Sequence, residues 1–578
     1  MLNISYKKRE NHILFQDFKK HNINIQEIQN YSPIYNAFFE FNHNNWKNVV
    51  FDHVKHIEKI VDHKSKNEYT LQLNDGSITT CFVKQSPIID HVYYLTGKYH
   101  SFQDINKNLV TYNKKSTLDK INSIHNAAYI DFVFYFLSSQ LSHITNFPHA
   151  CIFYDSFQTI YSNFEIDISE DIEAIENSVF FNKNYNVLFS LTDEEYHHDY
   201  MSQTRSNKPQ IKIHKTCKQS YCDSIPQYIH NTFYNNNSES LTDISENNMQ
   251  EIFSFTSENS DADVCFDSEN ENDSDLSICE NDTESETDTD IESESDTDTN
   301  TYFDYSESSN EYIDHIDVKI KTFPVQLICI EKLEDTLDNY INTHDNISNY
   351  EWISILIQII MTLATYNKVF DFTHNDLHTE NIMYTHTEKK TITYKYNNEY
   401  YTIPTYGKLY KIIDYGRSIF RYKKNRFCSD SYEPKHGDAS FLYNCEPFYT
   451  PKKERIEPNP SFDLCRLACS LYDYFLEKHS DIYDNEIFQF IHNMCLDDNG
   501  IHMLYKNKKH MYSRKERYSG FLLYKKIAKT VHNHKPDIIL NDTIFESIKT
   551  TKPNASQINS SESLFVDIDC IPSNFVKD

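Results

Sequence analysis

Glycine is nearly missing from this chain: there are seven in 578 residues, and only Gly76 lies ahead of Lys84. No Gly-x-Gly-x-x-Gly pattern exists, so a phosphate loop built from successive glycine amides is excluded in that region. The 13 cysteines contain no C-x-x-C pair, and ahead of the acidic run only Cys217 and Cys222 stand close together. That spacing excludes a zinc ribbon or a disulfide framework and fits a reduced, intracellular protein. Long apolar runs are also lacking. The longest, 353–364, is interrupted by Ser354, Gln358 and Thr362, and the N-terminus MLNISYKKRENHILF has no stretch of signal-peptide length. The chain is therefore expected to be neither secreted nor membrane-spanning. Finally, Lys and Arg are absent between Glu239 and Glu307, where 24 acids stand. Of the net charge of −31, only −7 then belongs to the rest, which argues against direct nucleic-acid binding.

What is present has the size for more than one structural unit, since a domain usually takes about 100–200 residues. Abundant Asn, Ile, Lys and Tyr fit an AT-rich genome and carry no function of their own. Residues 1–45 show no clear pattern. Glu68–Leu73, the turn Asn74-Asp75-Gly76, and Ser77–Lys84 predict a hairpin. A helix is expected over Asn126–His143 and a buried strand over Val325–Ile330. Ser348 and Glu351 form a capping-box pattern, opening a helix whose Trp352, Ile355, Leu356, Ile359, Leu363 and Tyr366 share one face. A further helix is expected over Gly520–His532. The Ser/Thr/Asp/Glu-rich tract at 235–310 lacks the apolar periodicity needed to offset its ordering entropy and reads as disordered.

The chemistry lies in two segments. Thr373–Met383 reads THNDLHTENIM, and Lys411–Ser418 reads KIIDYGRS. A His-x-Asp loop with Asn five residues beyond, then an apolar strand ending in Asp-Tyr-Gly, resembles the catalytic loop and metal-binding motif of protein kinases. Between them, Thr402–Gly407 (TIPTYG) departs from the usual short hairpin. This is similar to haspin, an atypical Ser/Thr kinase that acts on a histone tail; Asp376-Leu377-His378, the Ile-Pro-x-x-Gly segment, Ile-Ile-Asp-Tyr, and Phe462, Asp463, Arg466 and Leu467 carry the likeness. It covers under a fifth of the chain. With the compositional bias, the chain resembles kinase-like proteins of large DNA viruses.

The resemblance implies an α+β, two-lobed kinase-like fold that takes ATP and Mg²⁺. Its divisions are 1–45, an N-terminal extension; 46–234, a strand-rich lobe; 235–310, the acidic insertion; 311–333, last strand and hinge; 334–550, a helical lobe; and 551–578, a tail. Asp376 would be the catalytic base, with His378 beside it, and Asn381 and Asp414 the metal ligands. Phosphoryl transfer demands just such positioned carboxylates and hard oxygens. Asp463 would hold the catalytic-loop backbone. Lys84, ending CFVK, would meet the nucleotide phosphates, with Asp131 standing where a helix Glu is usual. Glu331 and Leu333 would offer backbone groups to adenine. Asn375 replaces a common Arg, removing a cation beside the base, and no Ala-Pro-Glu follows Gly416. The expected partner is a protein substrate, basic or histone-like, with the acidic tract free to bind basic partners. A pseudokinase scaffold and a small-molecule kinase are the competing readings.

Overall fold

Apolar residues alternate along Glu68–Leu73 and Ile78–Pro87, and these segments form the expected antiparallel hairpin. Its turn is a three-residue loop closed by Leu73 N–H to Ser77 C=O at 2.9 Å, and Gly76 alone takes positive φ (+82°). This is the expected Asn74-Asp75-Gly76 turn, with glycine at the position that needs positive φ. The computed structural model describes residues 2–102, 105–192, 316–344, 346–478, 485–518, 520–554, 558 and 560–575. Contacts divide the chain into Met1–Pro209 with Ile313–Asp578, and Gln210–Tyr312. The second unit, and with it the expected disordered insertion 235–310, lies outside the described residues.

The fold is mixed α+β and rich in sheet. Seven strands form the main antiparallel sheet: β1 (Ile25–Gln29), β2 (Ile57–Ser65), β3 (Glu68–Leu73), β4 (Ile78–Pro87), β5 (Phe153–Asp167), β6 (Phe189–Leu191) and β7 (Asp317–Glu331). Their order is β1-β5-β7-β4-β3-β2, with β6 beside the start of β7. The strand expected at 325–330 is thus the buried end of a fifteen-residue one. Residues 1–45 are not a separate extension. Helix α1 (His12–His21) buries Leu14 and Phe18, β1 pairs with β5, and Arg9 holds the buried Asp155 through two bonds of 2.7 and 2.9 Å. Sequence periodicity missed this because both elements are short.

Helix α2 (Ala127–Thr145) follows, capped by the Asn126 side chain on Ala128 N–H at 3.0 Å. Helix α3 (Asn349–Phe370) is capped by Ser348 on Glu351 N–H at 3.2 Å. Half the capping box forms; the Glu351 carboxylate instead takes the Tyr340 hydroxyl at 2.7 Å and Lys408 at 3.3 Å. Among the described residues α3 is the one helix long and apolar enough to cross a membrane, yet 89% of that stretch is buried inside the chain. Its polar interruptions are posts for the neighbouring sheet: Ser354 donates to Pro404 C=O (2.7 Å), and Gln358 accepts from Tyr410 N–H (3.1 Å).

The segment 334–550, expected to be helical, carries much sheet. A three-stranded sheet runs β8 (Asp335–Thr336), β9 (Ile382–His386) and β12 (Lys408–Ile412). Between β9 and β12, β10 (Thr391–Tyr396) and β11 (Glu399–Pro404) form the long Ile-Pro hairpin, followed by β13 (Ile419–Tyr422) paired with β14 (Asn425–Cys428). The hairpin is flanked by β15 (Lys549–Thr550) and β16 (Ser563–Asp567), the latter parallel to β10. Within the tail expected at 551–578, Ser563–Asp567 is therefore a strand of this sheet. Helices α4 (Phe462–Lys478) and α5 (Phe521–Thr530) complete the elements around the site.

Candidate functional site

Strand alternation buries Cys81 and Val83 and turns Lys84 the other way, toward α2. There the Lys84 ammonium lies 2.6 Å from Asp131 and 2.9 Å from Asp414. Asp131 is buried and bound on both oxygens, accepting from Ser86 Oγ at 3.1 Å and from Tyr415 N–H at 2.8 Å as well. It occupies the helix position expected for the lysine's acid partner. Burial pushes the Asp131 carboxyl up, and Lys84 offsets only part of this. For Asp414 burial also acts upward, but the neighbouring ammonium wins and holds it down at about 2. Burial opposes the Lys84 charge, yet the two carboxylates raise its pKa on balance. Asp414 keeps 47% of its side chain exposed and takes a left-handed backbone (φ +61°), with its N–H donating to the Tyr135 hydroxyl at 3.0 Å.

The loop after α3 is held from beneath. Asp463, buried in the first turn of α4, accepts from the N–H groups of His374 and Asn375 at 2.8 Å each. Asn375 tolerates φ +66° and links Tyr443 Oη (2.7 Å) to Arg417 C=O (3.0 Å). His374 donates Nε2–H to Ile413 C=O at 2.8 Å, joining this loop to the strand that carries Asp414. Asn381 donates to Asp376 C=O at 2.9 Å and to His378 Nε2 at 3.0 Å. Its amide oxygen makes no hydrogen bond among the described residues. Burial lowers the His378 pKa, so it accepts here as a neutral imidazole. Asp376 itself receives the Tyr524 hydroxyl on Oδ1 at 2.7 Å, while Arg417 Nε stands 3.9 Å from Oδ2.

Of the expected site residues, Lys84, Asp131 and Asp414 are in direct contact, and Asp376, His378 and Asn381 share one loop tied to theirs. Glu331 is a correction. Its N–H donates to Ile152 C=O (2.9 Å), and its carboxylate binds Ile152 N–H (2.8 Å) and the buried Lys411. It braces two strands and has no free N–H for a base. Leu333, two residues on, makes no backbone hydrogen bond among the described residues, so it keeps groups to offer. The cation missing at Asn375 is supplied by Arg417, which also pairs with Asp438 at 2.6 Å.

Among the described residues no group of three or more His, Cys, Asp or Glu can hold a metal. The donors available are instead the exposed Asp414 carboxylate and the Asn381 amide oxygen. Such a pair fits Mg²⁺, which takes one or two protein oxygens and fills its shell with water and phosphate. Tyr524 had no signal in the sequence, being one of 43 tyrosines on an ordinary amphipathic helix. No family model and no curated protein matches the chain.

Proposed function

We propose that this chain is an ATP- and Mg²⁺-dependent kinase of protein Ser or Thr hydroxyls, built on a two-lobed kinase-like scaffold. One observation carries the reading: four segments remote in sequence bring Lys84, Asp131, Asp414 and the Asp376–Asn381 loop to one place, with Lys84 held at 2.6 and 2.9 Å between two carboxylates. A lysine so held is aimed to receive phosphate oxygens. Asp414 and Asn381 would hold Mg²⁺, which when bound neutralises phosphate charge. Asp376 orients the attacking hydroxyl and takes its proton; Asp463 and His374 keep that loop in register with the Asp414 turn. Leu333 offers backbone groups to the nucleotide base.

The test is transfer of labelled phosphate from ATP to a panel of basic proteins, with Mg²⁺ and an Asp414→Ala control. Transfer that the control equals would refute the reading. A second reading, a pseudokinase that binds partners without turnover, draws on the lack of glycines ahead of Lys84. Nucleotide binding with no transfer to any acceptor would favour it.

A further inference from the structure

Tyr524 lies 148 residues from Asp376 in sequence, yet its hydroxyl donates to Asp376 Oδ1 at 2.7 Å. The Tyr524 hydroxyl oxygen in turn accepts from Arg466 Nε at 3.0 Å, and the Arg466 guanidinium lies 5.2 Å from the centre of the Tyr524 ring. Arg466 stands on α4, one turn beyond the Asp463 that fixes the loop backbone. The tyrosine is itself wedged by rings: Phe462 and Phe521 each stand 5.7 Å from it, and Phe521 packs against Arg417 at 5.2 Å. Arg466, Tyr524 and Asp376 thus form a directed chain that runs from guanidinium through phenol to carboxylate.

We infer that Tyr524, backed by Arg466, is a positioning residue for the Asp376 carboxylate; this rests on the reading of Asp376 as the base. A carboxylate on a two-bond stem rotates about χ2 unless one oxygen is held. Asp463 holds only the backbone of this loop, and Asn381 takes only the Asp376 carbonyl. Among the described residues the phenol is the one short hydrogen bond to the side chain, and it takes Oδ1. Oδ2 is left with Arg417 at 3.9 Å, beyond hydrogen-bonding distance, and is the oxygen that faces an incoming hydroxyl. Holding one oxygen aims the other, which lowers the cost of reaching the productive geometry without adding affinity for either substrate.

The experiment uses the full chain, ATP, Mg²⁺ and purified core histones, and follows ADP release with and without the histones. Tyr524→Phe keeps the ring and deletes only the hydroxyl. The expected result is a fall in kcat on the order of tenfold, with KM for ATP and histone and the thermal midpoint each unchanged. Arg466→Met should lower kcat in the wild-type background but add nothing in Tyr524→Phe, because it acts through the phenol. A kcat that is unchanged or raised in Tyr524→Phe, an effect confined to KM, or additive losses in the double variant would each overturn the proposal. Asp376→Asn runs beside them. If it turns over normally, or if the wild-type chain does not turn over at all, the reading of Asp376 as base has failed and the positioning role fails with it. An inactive Asp376→Asn beside an unaffected Tyr524→Phe refutes the positioning role alone.

Discussion

At the scale of single residues, the site depends on how a few charges are shared. Asp376→Asn should leave ATP binding nearly intact, whereas Asp414→Ala should weaken Mg²⁺-dependent nucleotide binding. Each should lower turnover by on the order of 10² or more, measured as labelled phosphate transferred against direct nucleotide titration. Asp131 has a second task, since its Oδ1 satisfies the backbone N–H of Tyr415. Asp131→Ala would strand that donor and remove one of the two carboxylates on Lys84, for a loss of about 3 kcal/mol in denaturant unfolding. A loss below about 1 kcal/mol would mean that water or Asp414 takes over both tasks. In the sequence Asp131 stood out only as the acid left in a helix without Glu; its reach to the Asp414 turn needed the fold.

At the scale of elements, α2 is the hub. The Phe134 ring packs against Tyr366, Phe370, Phe372, Tyr415 and Phe420, with centroids 4.3 to 5.4 Å away. It thereby joins α2 to the end of α3, the start of the Asp376 loop, the Asp414 turn and β13. Phe134→Ala should cost about 3–5 kcal/mol and Phe134→Leu less than half of that, read as shifts in denaturant midpoint. A second joint is His149, fully buried, which donates Nδ1–H to Tyr410 C=O (2.8 Å) and accepts from Tyr394 Oη (2.6 Å), linking β12 to β10. Burial lowers its pKa from 6.5 to about 3. Between those values the unfolded chain binds a proton that the folded one refuses, so stability falls as pH drops from about 6.5 toward 3. One such site contributes a slope of up to about 1.4 kcal/mol per pH unit. His56 and His502, lowered to about 4 by burial, add to it. His149→Gln should flatten the acid side of the stability profile, and an unchanged slope would refute this account.

At the scale of the whole molecule, the long excursion between β6 and β7 starts and ends at one place. Leu191 pairs with Val318, and Thr192 N–H donates to Asp317 C=O at 2.9 Å. Joining two adjacent strand ends through an intervening segment costs a closure entropy that grows only with the logarithm of its length. Replacing Asn237 to Asn310 by a short Gly/Ser linker should therefore change stability by only about 1–2 kcal/mol and leave folding intact. If the acidic tract screens a basic substrate, its deletion should lower the Michaelis constant for a basic peptide, more at low salt than at high salt. Equal kinetics at both salt levels would exclude that role.

The sequence by itself determined what is local. Period-two alternation with one well-placed glycine specified the β3–β4 hairpin, a cap residue with 3.6-residue periodicity specified the start of α3, and the ends of α2 were placed to within two residues. The resemblance of two short segments to kinase motifs singled out Asp376, Asn381, Asp414 and Asp463. These features are legible because turns, caps and loop motifs act over a few residues. The tertiary structure alone decided what depends on distant partners. It placed Ile25–Gln29 and Ser563–Asp567 as strands of the sheets, since edge pairing leaves little trace in a short segment. It turned Glu331 inward because Ile152, just ahead of β5, and Lys411 of β12 reach it. It also set Tyr524 and Arg417 against Asp376, through packing of α4, α5 and the Asp414 turn that no window of sequence contains.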